Sequence, residues 1–194
     1  MSKRLIAGVG LVVLVLALPA SAGREVQDYS ETISQFKEIE VVAKFFGGAH
    51  GYAVFPSVGK GGLGIGGSHG KGQVYRGGQV IGFTSTSDIS IGLQAGGQAY
   101  SQIIFFENEE ALTIFTGGNF EFDASASAIA VQATAEAGAG TEGTGSSASG
   151  SKTAEKSTAG AEYHKGMVTF TMAKGGLMYA ATIAGQKYTY KPVE

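Results

Sequence analysis

The longest helical pattern in the chain covers residues 25–46. Hydrophobic side chains recur there at spacings of three or four residues, which places them on one stripe of a helix: Val26, Tyr29, Ile33, Phe36, Ile39, Ala43 and Phe46. Between residues 24 and 46, three basic side chains stand against five acidic ones, whereas membrane-surface helices are usually rich in Lys and Arg. We therefore expect this helix to pack on the protein's own core, and a helix that lies on a membrane is the alternative.

Short runs of β-forming residues, separated by Gly or polar positions, fill residues 51–106 and 166–191. Within residues 51–106, no stretch between neighbouring runs is long enough for a helical crossover, so the pattern there predicts antiparallel hairpins. A short helix is predicted at 109–116, where Asn108 can cap the first turn, and the alternating residues 120–135 predict a further strand. The expected fold class is α+β: a compact β-rich domain, mainly antiparallel sheet and hairpins, with an N-terminal amphipathic helix and one short helix.

The start of the chain has the features of a secretory signal peptide. Two basic residues precede an apolar run at 5–18, and Ala20 and Ala22 supply a small-residue cleavage site. The run is shorter than the roughly 20 residues that span a bilayer, so a cleaved leader at 1–22 is favoured over an uncleaved anchor. This predicts one domain at 23–194 in a periplasmic or secreted protein, with possible association with the outer membrane.

Composition narrows the function classes. The chain has 32 Gly, no Cys and a formal charge of −2, so disulfide scaffolds and thiolate zinc sites are excluded. Removal of residues 1–22 leaves 12 basic against 16 acidic residues, a charge of −4, which argues against nucleic-acid binding because such proteins carry a basic surplus. Residues 136–161 contain almost nothing to bury and predict a flexible low-complexity loop.

Several enzyme-like motifs lack the structural setting that they need. Residues 59–64 and 62–67 both fit G-x-G-x-x-G, but no helical pattern follows, as a dinucleotide site requires. Ser68 fits G-x-S-x-G, yet the nucleophile elbow must join a strand to a helix. The three histidines show no metal-ligand spacing. We predict no catalytic residue, no metal and no cofactor.

One tetrapeptide occurs twice. Lys60–Leu63 and Lys174–Leu177 both read KGGL, and each stands between two apolar runs. A Gly-Gly pair in this setting is a hairpin-turn signal, so the two lysines are expected in similar turns. They could form an anion site together with backbone N–H groups, or they could simply be solvated.

Four longer motifs, taken together, resemble a known family. They are GYAVFPSVGKGGLGIGGSHGKGQVY (51–75), SIGLQAGGQAYSQIIFF (90–106), GNFEFDASASA (118–128) and FTMAKGGLMYAATIAGQKYTY (170–190). Their order and spacing resemble the bacterial exported branch of the SYLF domain family. The resemblance implies a compact mixed fold and lipid binding; eukaryotic relatives are linked to phosphoinositide membranes and fungal ones to actin. The chain departs from some members in having no lipoprotein cysteine and in the acidity of its N-terminal helix. An actin role cannot transfer to an exported protein.

The motifs and the resemblance together predict a non-enzymatic lipid-binding protein of the bacterial envelope. Lys60, Lys71, Arg76 and Lys174 are the predicted contacts for anionic phospholipid headgroups. Core or acyl-facing wall positions are expected at Val54, Phe55, Leu63, Ile65, Met178 and Tyr179. The alternative is a structural or protein-interaction component of the envelope without a specific lipid ligand, in which the small-residue run at 120–135 contacts a partner.

Overall fold

The computed structural model describes residues 25–63, 65–91, 96–123, 126–131, 161–174, 181–183 and 185–194. The helices are α1 (Ser30–Lys37), α2 (Glu40–Gly48) and α3 (Glu109–Thr116). The strands are β1 (Gly51–Leu63), β2 (Ile65–Arg76), β3 (Gln79–Ile91), β4 (Gly96–Phe106), β5 (Asn119–Glu121), β6 (Ser127–Val131), β7 (Met167–Ala173), β8 (Ala181–Thr182) and β9 (Lys187–Pro192). The predicted signal peptide at 1–22, most of the predicted loop at 136–161 and the two wall residues Met178 and Tyr179 lie outside the described residues.

The strands form one curled sheet in the order β5-β9-β3-β2-β1-β4-β7-β6-β8. Every described pairing between these strands is antiparallel except β6 with β7. The chain passes from β5 to β6, and from β8 to β9, through only a few residues, although these strands lie near opposite edges of the sheet. Such short connections require the edges to approach each other, which curls the sheet. The predicted α+β class dominated by antiparallel strands is confirmed.

The N-terminal helical region is divided in two. Ile39 adopts an extended conformation (φ −88°, ψ 111°) between α1 and α2. The predicted single helix is therefore two helices, and their hydrophobic faces do not form one continuous stripe. Phe36 and Val42 are both fully buried, and Ile39 is 9% exposed. The break shifts the buried position of the second helix from the predicted Ala43 to Val42. Both helices pack on the sheet, as expected for a core-packing role.

Helix α3 forms where the sequence predicts it. The Asn108 side chain accepts a hydrogen bond from the Ala111 amide at 2.9 Å, which caps the first turn. Ala111, Leu112 and Phe115 are buried against the concave side of the sheet. The predicted single strand at 120–135 is wrong, because the chain turns between β5 and β6 with the Ala126 amide bonded to the Asp123 carbonyl.

Two hydrophobic clusters occupy the two faces of the sheet. The concave side holds Phe55, Phe106 and Tyr188 together with α3. The convex side holds Val54 and Phe105 together with α1 and α2. The predicted core positions Val54 and Phe55 are thus both fully buried, on opposite faces. Burial of each such side chain stabilises the fold by roughly 1.5–3 kcal/mol.

Glycine serves two different purposes in this sheet. Gly77 and Gly78 both have positive φ, 59° and 80°, which gives the two-residue turn between β2 and β3. Gly72 instead lies inside β2, where an added Cβ would be 2.6 Å from the Val54 carbonyl oxygen and 2.6 Å from Phe55 Cδ1. Some of the glycine excess therefore permits close packing on the concave side.

Candidate functional site: a basic strip and a buried polar network

The two lysines of the repeated tetrapeptide flank strand β4 from opposite sides. Lys60 lies within β1 and pairs with Gln98, so it belongs to a strand and not to a turn. Lys174 follows β7, and its amide donates to the Ala99 carbonyl at 2.8 Å. Gln98 and Ala99 are adjacent, and alternate strand positions face opposite sides. Lys60 and Lys174 therefore take register positions on opposite faces, Lys60 on the concave one.

The other two predicted contacts are also separated. Lys71 lies in the middle of β2, is exposed and pairs with Ser85 of β3. Arg76 ends β2, about 17 Å further along the strand at ~3.4 Å per residue, and it acts electrostatically on Tyr190. The structure therefore does not gather Lys60, Lys71, Arg76 and Lys174 into one patch.

Lys71 instead joins two lysines that the sequence analysis did not select. Ser85 pairs with Thr189 of β9, and Lys187 and Lys191 stand two positions before and after Thr189 on the same face. Lys71 is two strands from Thr189, which places their Cα atoms about 10 Å apart at ~4.8 Å between strands. Lys187 and Lys191 are each two residues from Thr189, about 7 Å between Cα atoms at ~3.4 Å per residue. We call Lys71, Lys187 and Lys191 the basic strip; all three are exposed.

The surroundings of the basic strip leave it positively charged. On this face of β2, β3 and β9, none of the described residues is acidic. Glu121 of the edge strand β5 is the acidic neighbour, with a carboxylate oxygen 3.6 Å from Lys187 Nζ. The hydroxyls of Ser85 and Thr189 hydrogen-bond to each other at 2.7 Å between the lysines. Helices α1 and α2 cover the neighbouring part of the convex face and leave the strip open to solvent.

A second polar group of residues lies on the concave side, away from solvent. Gln102 Nε2 donates to the Tyr188 hydroxyl at 2.9 Å, and that hydroxyl donates to Gln186 Oε1 at 2.6 Å. Gln186 Nε2 donates to the Tyr100 hydroxyl at 2.8 Å. This polar network joins β4 to β9 across the curled sheet, and all four residues are at most 3% exposed.

Burial has a clear electrostatic effect on the two tyrosines of the network. It raises the pKa of Tyr188 and, to a smaller extent, that of Tyr100, because the phenolate would lose its hydration. The Asp88 carboxylate, on the same side of the sheet, raises both pKa values further. Both side chains therefore remain neutral hydrogen-bonding groups near pH 7.

Further buried hydroxyls extend the polar network. The Ser68 hydroxyl interacts with the Tyr100 hydroxyl, and the Thr86 hydroxyl with the Tyr188 hydroxyl. Both residues are at most 6% exposed. These contacts satisfy part of the hydrogen-bonding capacity of groups that would otherwise cost about 1–3 kcal/mol each when buried.

The enzyme-like motifs take ordinary positions in the sheet. Ser68 lies inside β2, paired with Lys60 and Asp88, and not at a strand-to-helix turn. Among the described residues, no three His, Asp or Glu side chains are grouped as a metal site would require.

No helix in the described part of the chain is long and apolar enough to cross a bilayer.

Comparison with known proteins places this β-rich fold in a family. Residues 87–191 match the family model Ysc84, described as "Las17-binding protein actin regulator". A search of the curated proteins finds no match to the chain. Because the family match covers just over half of the chain, the protein belongs to the Ysc84 family, whose domain is also called SYLF. The resemblance to the SYLF domain family is thereby confirmed.

Proposed function

We propose that this protein binds anionic lipid surfaces without catalysing a reaction, and that the basic strip makes the contact. The observation that carries the proposal is the grouping of Lys71, Lys187 and Lys191 on a part of the convex face that the helices leave open, in a net acidic chain. A lysine near an anionic membrane contributes about 1 kcal/mol. The three lysines are separated by only about one to two Debye lengths, so salt does not fully screen their fields from one another and they attract the same anionic surface.

The filling of the concave side favours binding at the surface over an internal lipid cavity. Phe55, Phe106 and Phe115 are at most 1% exposed there. The polar network occupies another part of this side, and it is a poor environment for an acyl chain. Attraction of lipid headgroups to the basic strip occurs at the surface and requires no cavity inside the protein.

The proposed location follows from the leader predicted at residues 1–22. A protein exported by such a leader meets the lipids of the bacterial envelope from the periplasmic side or from outside the cell. We propose that these phospholipids are its partners, and no cofactor is needed for the contact.

Vesicle co-sedimentation of protein that begins at Gly23 tests the proposal, since the apolar leader then cannot partition into lipid by itself. The variant Lys71→Gln/Lys191→Gln removes two charges from the strip. At about 1 kcal/mol each, its affinity for phosphatidylglycerol-containing vesicles should fall roughly 30-fold. Binding of the unaltered protein should weaken as salt is raised.

Lys37→Gln/Lys44→Gln is the matched control, because it removes the same charge from exposed positions on α1 and α2. We expect it to bind vesicles nearly as the unaltered protein does. Equal loss in both variants would mean that net charge alone governs binding. Unchanged binding of Lys71→Gln/Lys191→Gln would remove the strip from the proposal, and an absence of vesicle binding would favour the protein-interaction alternative.

A further inference from the structure

An open groove lies on the convex face, beside the turn between β2 and β3. It has a volume of about 380 Å³ and lies between the segment that precedes α1 and the paired residues Tyr75 and Val80. Sites for small molecules usually have volumes of about 300–1,000 Å³. Tyr75 stands four residues after Lys71 in β2, about 14 Å away at ~3.4 Å per residue, so the groove is distinct from the basic strip.

The lining of the groove is mainly aromatic and aliphatic. Tyr29 and Ile33 line it from the helical side and are half-buried, and Val26 is 49% exposed. On the strand side, Tyr75 is 7% exposed and stacks on Tyr52, with ring centroids 5.0 Å apart and an interplanar angle of 12°. The groove therefore places aromatic rings at a surface that a solute can reach.

A buried amide fixes the segment before α1 against the sheet. The Gln73 side chain is 1% exposed, and its Nε2 donates to the Gln27 carbonyl at 2.8 Å. Gln27 lines the groove, and Gln73 lies two residues before Tyr75 in β2. This bond joins the two sides of the groove before any ligand arrives, and a preformed site loses less entropy on binding.

Asp28 is the charged residue among the described residues that line the groove. The Ser30 amide donates to Asp28 Oδ1 at 2.9 Å, and hydrogen bonds from Ser30 lower the pKa of this carboxyl, so it is ionised near pH 7. Burial, and after it the charges of Tyr52, Tyr29 and Asp28, raise the pKa of Tyr75 to about 12. The field of the Asp28 carboxylate therefore reaches the strand side of the groove.

The charges around Asp28 favour a cation over an anion. Residues 24–31 contain three acidic side chains, at Glu25, Asp28 and Glu31, and one basic side chain, at Arg24. The N-terminus of α1 adds a partial positive charge of about one half, which leaves a net negative charge of about 1.5 (three minus one minus one half). An anionic ligand would be repelled there.

We propose that this groove binds a small quaternary ammonium compound, of the size class of choline. The charge of such a cation is spread over methyl groups that need no hydrogen-bond partner, so the cation suits apolar walls. Tyrosine rings attract quaternary ammonium groups, here those of Tyr29 and Tyr75, and Asp28 supplies the opposite charge. Free choline and the headgroup of phosphatidylcholine share this chemistry. The site is independent of the basic strip, so either proposal can fail alone.

Calorimetric and NMR titrations of protein that begins at Gly23 test the site with choline. The comparison compound is the neutral alcohol in which a carbon atom replaces the choline nitrogen, since it has the same shape without the charge. We expect choline binding to saturate in the millimolar range and the neutral alcohol to bind several-fold more weakly. Asp28→Asn keeps a side chain that can bond to the Ser30 amide, and it should weaken choline binding about three- to fivefold.

Two further variants separate the roles of ring and charge. Tyr29→Leu keeps an apolar side chain but removes the ring, and it should weaken choline binding about two- to fivefold. Glu31→Gln is the matched control for Asp28→Asn, because it removes the same charge from an exposed position on α1 that does not line the groove. We expect it to bind choline nearly as the unaltered protein does.

The outcomes are distinct. Saturable binding that prefers choline to the neutral alcohol and is weakened by Asp28→Asn, but not by Glu31→Gln, would support the proposal. Equal binding of the two compounds, full binding by Asp28→Asn, or a lack of saturation by choline would overturn it. Once choline binding is established, phosphatidylcholine vesicles distinguish its source. Vesicle binding that Asp28→Asn weakens, and Lys71→Gln/Lys191→Gln does not, identifies the lipid headgroup, and choline binding without vesicle binding identifies the free compound.

Discussion

The substitution Gly72→Ala measures how closely the concave side of the sheet is packed. The added Cβ would lie 2.6 Å from the Val54 carbonyl oxygen and 2.6 Å from Phe55 Cδ1. The carbonyl belongs to a neighbouring strand and cannot rotate away, so the overpacking cost should be near the upper end of about 1–3 kcal/mol. Ala has a lower chain entropy than Gly in the unfolded state, and this offsets about 0.4–1 kcal/mol of the overpacking cost. We expect a net loss of about 2 kcal/mol in the free energy of unfolding.

Gly59→Ala provides the matched control within the same sheet. Its added Cβ would meet only the His69 carbonyl oxygen, at 4.0 Å, so the entropy gain should dominate and stability should hold or rise slightly. Urea denaturation followed by circular dichroism gives both free energies of unfolding. The explanation of the glycine excess by close packing would be refuted if Gly72→Ala were as stable as Gly59→Ala.

Three further predictions concern the cap, a buried tyrosine and the extent of the folding unit. Asn108→Ala should lower the free energy of unfolding by about 1 kcal/mol through loss of the bond from the Ala111 amide, and Asn108→Asp should retain most of it; equal losses in urea denaturation would contradict the capping role. Burial raises the pKa of Tyr75 to about 12, so its contribution to stability should be complete below about pH 10 and decline as the pH rises through about 12; a Tyr75→Phe variant with the same alkaline decline would argue against this. A fragment of residues 87–194 contains the family match but lacks β1 and β2, which lie between β3 and β4, and cooperative unfolding of that fragment would contradict the sheet order.

Local structure could be predicted from the sequence where short-range signals dominate. Asn108 with two following acidic residues predicted α3, and the Gly77-Gly78 pair marks a hairpin because both positions have positive φ. The break at Ile39 was not predictable from periodicity. It lets Phe36 of α1 and Val42 of α2 both pack on the convex side of the sheet. Local patterns carry no information on such long-range contacts.

The candidate site depends on which strands pair and in which register, and local sequence patterns do not predict either. The alternation of Lys, Thr and Lys with Tyr at 187–191 predicts a strand with one polar face. It does not indicate that this strand pairs with β3, roughly a hundred residues earlier, and so brings Lys187 beside Lys71. The repeated tetrapeptide was a misleading signal for the same reason, because Lys60 and Lys174 take register positions on opposite faces.

The most direct test of the proposed lipid contact is to ask which surface touches the membrane. The chain has no cysteine, so Ser87→Cys places a single environment-sensitive dye beside the basic strip, and Ser34→Cys places it on exposed α1. With phosphatidylglycerol vesicles, we predict a blue shift of the dye at position 87 that salt reverses, and little change at position 34. A shift at position 34 alone, or equal shifts at both positions, would contradict binding through the strip.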